Sequence, residues 1–210
     1  MTRDEISDLL AQRLNNRTDL VARINSELVL AQSMRLEQNG LFYPWFLVTE
    51  YSAEMTEMDE NRVPIPSDFL SEIEDVGLWV QNEVEEWVPL VKGDEDDLMS
   101  RLGSTSGRPT SYALIGEHFS LFPIPDDNYT IRMRYYAAQP ALTSNIENGW
   151  TKYAADLLIA EVGEAIAAFH MQNPALAAEF TKSKAAAWAR LGIAHEARIH
   201  ANREYTMGGN

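Results

Sequence analysis

The chain has 210 residues, of which 45% are hydrophobic and 10% aromatic, and it contains no cysteine. This composition is typical of one or two globular domains and excludes an intrinsically disordered chain, a disulfide framework and thiolate chemistry. The formal net charge of −15 argues against an autonomous nucleic-acid binder. Carboxylates interrupt the longest apolar stretch, residues 153–169, and the N-terminus lacks a secretion-signal pattern, so we expect a soluble protein of a reducing compartment.

Most of the excess negative charge lies near the middle of the chain. Residues 54–97 contain 15 acidic and 2 basic residues, a net charge of −13. The net charge is −2 over residues 1–53 and zero over residues 98–210. Such a run indicates either a solvated face or a surface that repels a polyanion or meets a basic partner. The composition leaves both interpretations open.

Helix signals dominate the N-terminal part. Thr2 and Glu5 have the spacing of a capping box for a first helix. Thr18 can cap a second helix, which Asn39-Gly40 ends because glycine adopts the left-handed C′ conformation without strain. Residues 42–51 are aromatic and β-branched, which predicts a strand or an extended crossing.

Short elements punctuated by prolines are predicted in the middle of the chain. In chain order they are an extended segment at 63–66, a helical turn at 68–75, a strand at 77–81, a helix at 94–102, a hairpin at 112–122 and a strand at 129–136. The last of these alternates apolar and polar residues, which is typical of a strand with one buried and one wet face. A small antiparallel meander is expected here.

Helical periodicity returns at Trp150. Asn173-Pro174 predicts a cap and a first helical residue for a last helix that runs to about Arg203. The sequence therefore predicts a mainly α protein, a small helical bundle with an irregular β-containing insertion. Its segments are the N-terminal helices of the bundle at 1–53, the acidic and β-containing insertion at 54–149, the C-terminal helices at 150–203 and a tail at 204–210.

Three segments resemble known catalytic or metal-binding motifs but lack the required spacing or residue types. His195 and His200 are five residues apart, so on a helix they point in directions that differ by roughly 140°, unlike a zinc-binding pair. Residues 103–107 lack the serine of a nucleophile elbow and the lysine of a phosphate-binding loop. Residues 94–97 lack the alternating ligands of a calcium loop. We therefore expect no catalytic, cofactor or metal site, and no enzymatic activity.

A succession of structural motifs over residues 60–172 resembles a known family. The motifs are Pro66-Ser67-Asp68-Phe69, Gly107-Arg108-Pro109, Leu121-Phe122-Pro123-Ile124-Pro125, Tyr135-Tyr136, Ala141-Leu142-Thr143 and Asn148-Gly149-Trp150. In this order they resemble the head-to-tail adaptor proteins of tailed bacteriophages, especially short-tailed ones. The chain departs from the pattern in having Gly149 between the asparagine and the tryptophan.

The resemblance implies a structural virion protein of the neck, made in the host cytoplasm. It implies a homo-oligomeric ring, probably of twelve copies, that binds the portal protein and a tail or nozzle protein and continues the DNA channel. DNA then passes without specific binding, and no membrane is involved. By position, the implied portal-binding residues are Arg203, Glu204, Tyr205, Thr206, Met207, Gly208, Gly209 and Asn210. The candidates for an acidic surface that faces the channel or a partner are Glu83, Glu85, Glu86, Asp94, Glu95, Asp96 and Asp97.

Two alternatives remain open at this point. A neck or tail-completion protein would also form a ring, but it would contact the tail rather than the portal. A helical enzyme or regulatory subunit belongs to a different class and requires a pocket with converging polar groups.

Overall fold

A computed structural model describes residues 1–38, 42–54, 61–73, 77–81 and 86–207, with the backbone alone at 53, 54 and 199–207. The chain divides into two compact units. The helical unit comprises Met1–Leu47 and Ala138–Asn210, and the β unit comprises Val48–Ala137. The predicted helix stop at Asn39-Gly40 lies outside the described residues.

The α-helices of the described residues are α1 (Arg3–Arg13), α2 (Val21–Leu30), α3 (Glu95–Leu102), α4 (Gly149–Tyr153), α5 (Ala155–Ala165) and α6 (Pro174–Met207). The strands are β1 (Val48–Glu54), β2 (Arg62–Pro64), β3 (Phe69–Glu72), β4 (Leu78–Gln81), β5 (Trp87–Pro89), β6 (Val91–Lys92), β7 (Ser111–Ile115), β8 (His118–Phe122) and β9 (Thr130–Ala137). Helix α2 continues as a π-helix, Ala31–Glu37, and α5 continues as a second one, Ile166–His170.

Local signals explain where several helices begin. The capping box predicted for α1 is confirmed, because Thr2 Oγ1 accepts the Glu5 amide at 3.3 Å and Glu5 returns a hydrogen bond to the Thr2 amide at 2.8 Å. At α3, the Asp94 side chain accepts the amides of Asp96 and Asp97, and acids fill the first turn at the positive end of the helix dipole. The helix predicted at 94–102 is thus confirmed.

Helix α5 lies at the centre of the helical unit, where it contacts α1, α2 and α6. Seven of its eleven residues are buried, among them Leu157, Leu158 and Val162, so its sequence is apolar on most sides. Gly163 permits the close approach of α6, since a Cβ atom there would lie 2.4 Å from the Phe180 ring. The helical unit therefore has its own hydrophobic core.

The β unit is built from two sheets that share one core. The first sheet has the order β1-β9-β4-β5, with β3 also paired to β9, and the second has the order β2-β8-β7-β6. All pairs are antiparallel except β6 with β7. Buried side chains of both sheets meet between them, namely Val63, Leu78, Val80, Tyr112, Phe119, Leu121, Ile131, Met133 and Tyr135. Helix α3 covers the outer face of the second sheet, where Leu98 packs on Ala113 and Phe122.

The prediction of a mainly α protein, a small helical bundle with an irregular β-containing insertion, is wrong. The chain is 49% helical and 23% strand in two sheets, so the fold is mixed α/β. The physical reason is that the short strands pair into two sheets and bury a core of their own, instead of depending on the helices. The helical turn predicted at 68–75 is strand β3 in its described part, since Phe69 pairs with Ala137 of β9. The hairpin at 112–122 and the strand at 129–136 are confirmed as β7, β8 and β9.

Candidate interaction surfaces

The described residues do not assemble a metal centre. No group of three or more histidine and acidic side chains among them can hold a metal ion. His195 is buried against the edge of the Phe42 ring, with 4.9 Å between ring centroids, and burial lowers its pKa although Glu196 opposes this. It is a core-edge histidine, and the side chain of His200 is not described.

A cavity of about 590 Å³ in the β unit has polar groups that already satisfy each other. Tyr112 donates to Glu72 at 3.0 Å, and Lys92 forms an ion pair with the same carboxylate. Burial, together with the Glu72 charge, raises the pKa of Tyr112 above its ordinary value. Its described lining residues therefore do not provide the free converging polar groups of an active site.

Four of the predicted acidic residues form one exposed cluster at the start of α3. Asp94 is the N-cap, and Glu95, Asp96 and Asp97 occupy the first turn, all exposed. Asp97 pairs with Arg101 at 3.5 Å, and no cation in the described part of the chain pairs with Glu95 or Asp96. Capping explains the acid at position 94, whereas the next two carboxylates remain available to a partner.

The remaining predicted residues are described less completely. Glu86 is exposed directly before β5, while Glu83 and Glu85 lie outside the described residues. Positions 203–207 continue helix α6 to Met207, described as backbone only, and Gly208, Gly209 and Asn210 lie outside the described residues. The predicted C-terminal tail is thus helical over its first part.

A buried polar network joins the end of the first π-helix to the start of α4, and sequence reasoning missed it. Three donors converge on Glu37 Oε1, from Trp150 Nε1 at 2.6 Å, Gln32 Nε2 at 3.1 Å and the Gln139 amide at 3.2 Å. A π-helix brings residues five apart onto one face, which places Gln32 beside Glu37. Asn148 donates to Gln32 at 3.1 Å and caps α4. The network fixes the chain where it re-enters the helical unit.

The titration of Glu37 gives a testable pH dependence. Burial raises the pKa of Glu37 above its ordinary value, although hydrogen bonds from Trp150, Gln139 and Gln32 oppose the shift. Because the folded state binds this proton more tightly than the unfolded state, the stabilisation from protonation is complete below the unfolded pKa, about 4.3. It is lost as the pH rises through the folded pKa.

We therefore expect the unfolding free energy of the wild type, relative to the Glu37→Gln variant, to decrease as the pH rises from about 4. Urea unfolding of both proteins at several pH values measures this difference. If the unfolding free energy of the wild type relative to Glu37→Gln increases with pH, the raised pKa of Glu37 is contradicted.

A stack of three side chains on the outer face of the first sheet was also missed. The Arg132 guanidinium lies over the rings of Trp79 and Trp87, at 5.0 and 4.5 Å from their centroids. We call these residues the Arg132 stack. The alternation along β9 predicts a wet basic face here, but the sequence gives no signal that two tryptophans from β4 and β5 contact the arginine. The Nε atom of Arg132 is buried and has no acceptor among the described residues.

Comparison with known proteins identifies the family. A model of the family described as SU10 adaptor protein matches residues 1–206. The chain belongs to this family. No protein of curated function matches the adaptor.

Membership of this family implies a structural bacteriophage protein. It also implies interaction with portal and tail proteins and a location in the virion neck. The resemblance to head-to-tail adaptors is thereby confirmed at the level of the phage adaptor family. No helix in the described ranges is long and apolar enough to cross a membrane.

The structure explains the glycine at position 149, where the Asn148-Gly149-Trp150 motif differs from the pattern of the family. Asn148 and Trp150 both belong to the Glu37 network, and the Gly149 amide donates to Gln139 at 3.1 Å. A Cβ atom at Gly149 would lie 2.5 Å from the Phe46 ring. Glycine therefore suits this helix entry because the Phe46 ring occupies the space of a side chain.

Proposed function

We propose that the adaptor forms a ring of twelve copies beneath the portal of a short-tailed phage, joins the capsid to the tail and continues the DNA channel. The observation that carries the proposal is the family match over residues 1–206. The motifs between residues 60 and 172 add the resemblance to short-tailed adaptors. A ring has two different faces, so one face can bind the portal and the other can bind the tail.

The distribution of charge supports passage of DNA without specific binding. Phosphate contacts from lysine and arginine slow movement along DNA and make it dependent on salt, whereas carboxylates repel the phosphates. The acidic stretch at 54–97, including the exposed cluster at the start of α3, faces the channel or a partner protein in this proposal. A density map of the assembled ring tests this assignment, and a position of these carboxylates facing only outer solvent contradicts it.

The end of α6 is the proposed portal-binding segment. Among the residues of α6 whose side chains are described, the buried ones include Phe180, Ala187 and Leu191. In this proposal residues 203–210, which follow this described core in the chain, reach a portal subunit.

Deletion of residues 204–210 is expected to weaken binding to portal rings at least about tenfold, because it removes the proposed contact. We expect the melting temperature to stay unchanged, since no described core residue is deleted. Binding is measured by sedimentation with portal rings, and the exposed Lys182→Ser variant on α6 is the matched control. Full portal binding by the truncated protein contradicts the assignment.

The order of assembly distinguishes this function from that of a tail-completion protein. The adaptor is expected to sediment with portal rings in the absence of tail proteins and to recruit tail proteins afterwards. Binding to the isolated tail, with no binding to the portal, contradicts the proposal and favours the tail-completion protein.

A further inference from the structure

The Arg132 stack holds a cation for which the described residues of the β unit provide no anion. Its neighbour on the same face, Arg134, pairs with Glu50 at 3.1 Å. In the described part of the chain, by contrast, Arg132 has neither an ionic partner nor a hydrogen-bond acceptor. A buried donor without an acceptor is costly, and among the described residues the Nε atom of Arg132 is such a donor. A carboxylate meets a guanidinium edge with charge-assisted hydrogen bonds, which are stronger than hydrogen bonds between neutral groups.

The acidic cluster of α3 lies on the opposite side of the same unit. Trp79 and Arg132 are on the outer face of the first sheet, because their neighbours Leu78, Val80 and Ile131 point into the core. Helix α3 packs on the outer face of the second sheet through Leu98 and Phe122. One β unit therefore presents carboxylates on one side and, on the other, a guanidinium that has no anionic partner among the described residues.

Two different complementary surfaces on opposite sides are what a head-to-tail contact requires. Such a contact repeats from copy to copy, and it forms a ring when the rotation between copies closes. Tryptophan and arginine are also the residues that dominate the energetics of protein interfaces. Charge complementarity therefore points to a second copy of this chain as the occupant of the stack.

We propose that, in the ring, the first turn of α3 of one copy contacts the Arg132 stack of the next, with Glu95 and Asp96 as acceptors for the guanidinium. This inference rests on the proposed ring. It assigns the α3 part of the acidic stretch to the contact between copies. Portal binding and the contact between copies then depend on different residues, which allows separate tests.

Reversal of one charge on either side tests the contact. Arg132→Glu and the double variant Glu95→Lys, Asp96→Lys are each expected to reduce the yield of complete rings on portal templates at least about tenfold. The lysines lie at exposed positions outside both cores, so this variant keeps the test valid even if Arg132→Glu disturbs the stack. Glu117→Lys, an exposed charge reversal in the turn between β7 and β8, is the control and is expected to assemble normally.

A mixture of the two reversed variants provides the decisive measurement. In an alternating ring, the acidic α3 of the Arg132→Glu protein meets an intact stack, and the lysines of the other variant meet the new glutamate. Native mass spectrometry is therefore expected to show rings from the mixture and none from either variant alone. Rings from either variant alone, or no rescue by mixing, overturn this inference while leaving the ring proposal intact. Failure of the wild type to form rings on portal templates contradicts the proposed function itself.

Discussion

The Glu37→Ala variant is expected to lose about 4 kcal/mol of unfolding free energy in the helical unit. Three donors converge on one carboxylate oxygen of a side chain that is 3% exposed. Alanine leaves Trp150 Nε1 and the Gln139 amide without an acceptor, whereas Gln32 Nε2 still donates to the Gln139 carbonyl at 3.0 Å. Each buried donor without a partner costs about 1–3 kcal/mol. Chemical denaturation and amide exchange of α5 measure the loss.

The matched control for this prediction is Glu37→Gln. The glutamine carbonyl can take the position of Glu37 Oε1 and accept the hydrogen bonds from Trp150 and the Gln139 amide. We expect this variant to lose less than about 1.5 kcal/mol. Equal losses for the alanine and glutamine variants contradict the role of the acceptor and attribute the effect to side-chain volume.

The Phe119→Ala variant is expected to destabilise the β unit by about 4 kcal/mol, the usual cost of removing a buried phenylalanine ring. Phe119 on β8 of the second sheet is completely buried and contacts Phe69, on β3 of the first sheet, with ring centroids 6.0 Å apart. The side chain therefore connects the two sheets. Amide exchange of β8 and β9 reports the loss.

Leu114→Ala is the control for Phe119→Ala, because Leu114 pairs with Phe119 across the hairpin but is 38% exposed. A loss of less than about 1 kcal/mol is expected for this variant. If the amide hydrogen exchange rates of β9 are the same in Phe119→Ala and the wild type, the two sheets do not share the core described above.

Elements with local signals could be predicted from the sequence. The capping box at Thr2, the acid-rich start of α3 and the alternation along β9 each lie within a few residues of the structure that they specify. The pairing of short strands into two sheets depends on contacts distant in sequence, such as β1 with β9, for which periodicity gives no signal. The mixed fold was missed for this reason.

The two polar features of greatest interest were also invisible in the sequence. Glu37 precedes a helix-stop signal typical of a surface, yet its partners Gln139 and Trp150 are more than one hundred residues away. Arg132 occupies a strand position that ordinarily faces water, yet its Nε atom is buried and its guanidinium lies over tryptophan rings from two other strands. In both cases the folded chain brings together groups whose spacing carries no pattern.

The native mass of complexes formed from the purified adaptor and portal rings of the same virus tests the central claim most directly. We predict a single dominant complex that contains twelve adaptor chains, with no binding of DNA required for its formation. A portal ring that keeps its own mass in the presence of excess adaptor contradicts the proposed function.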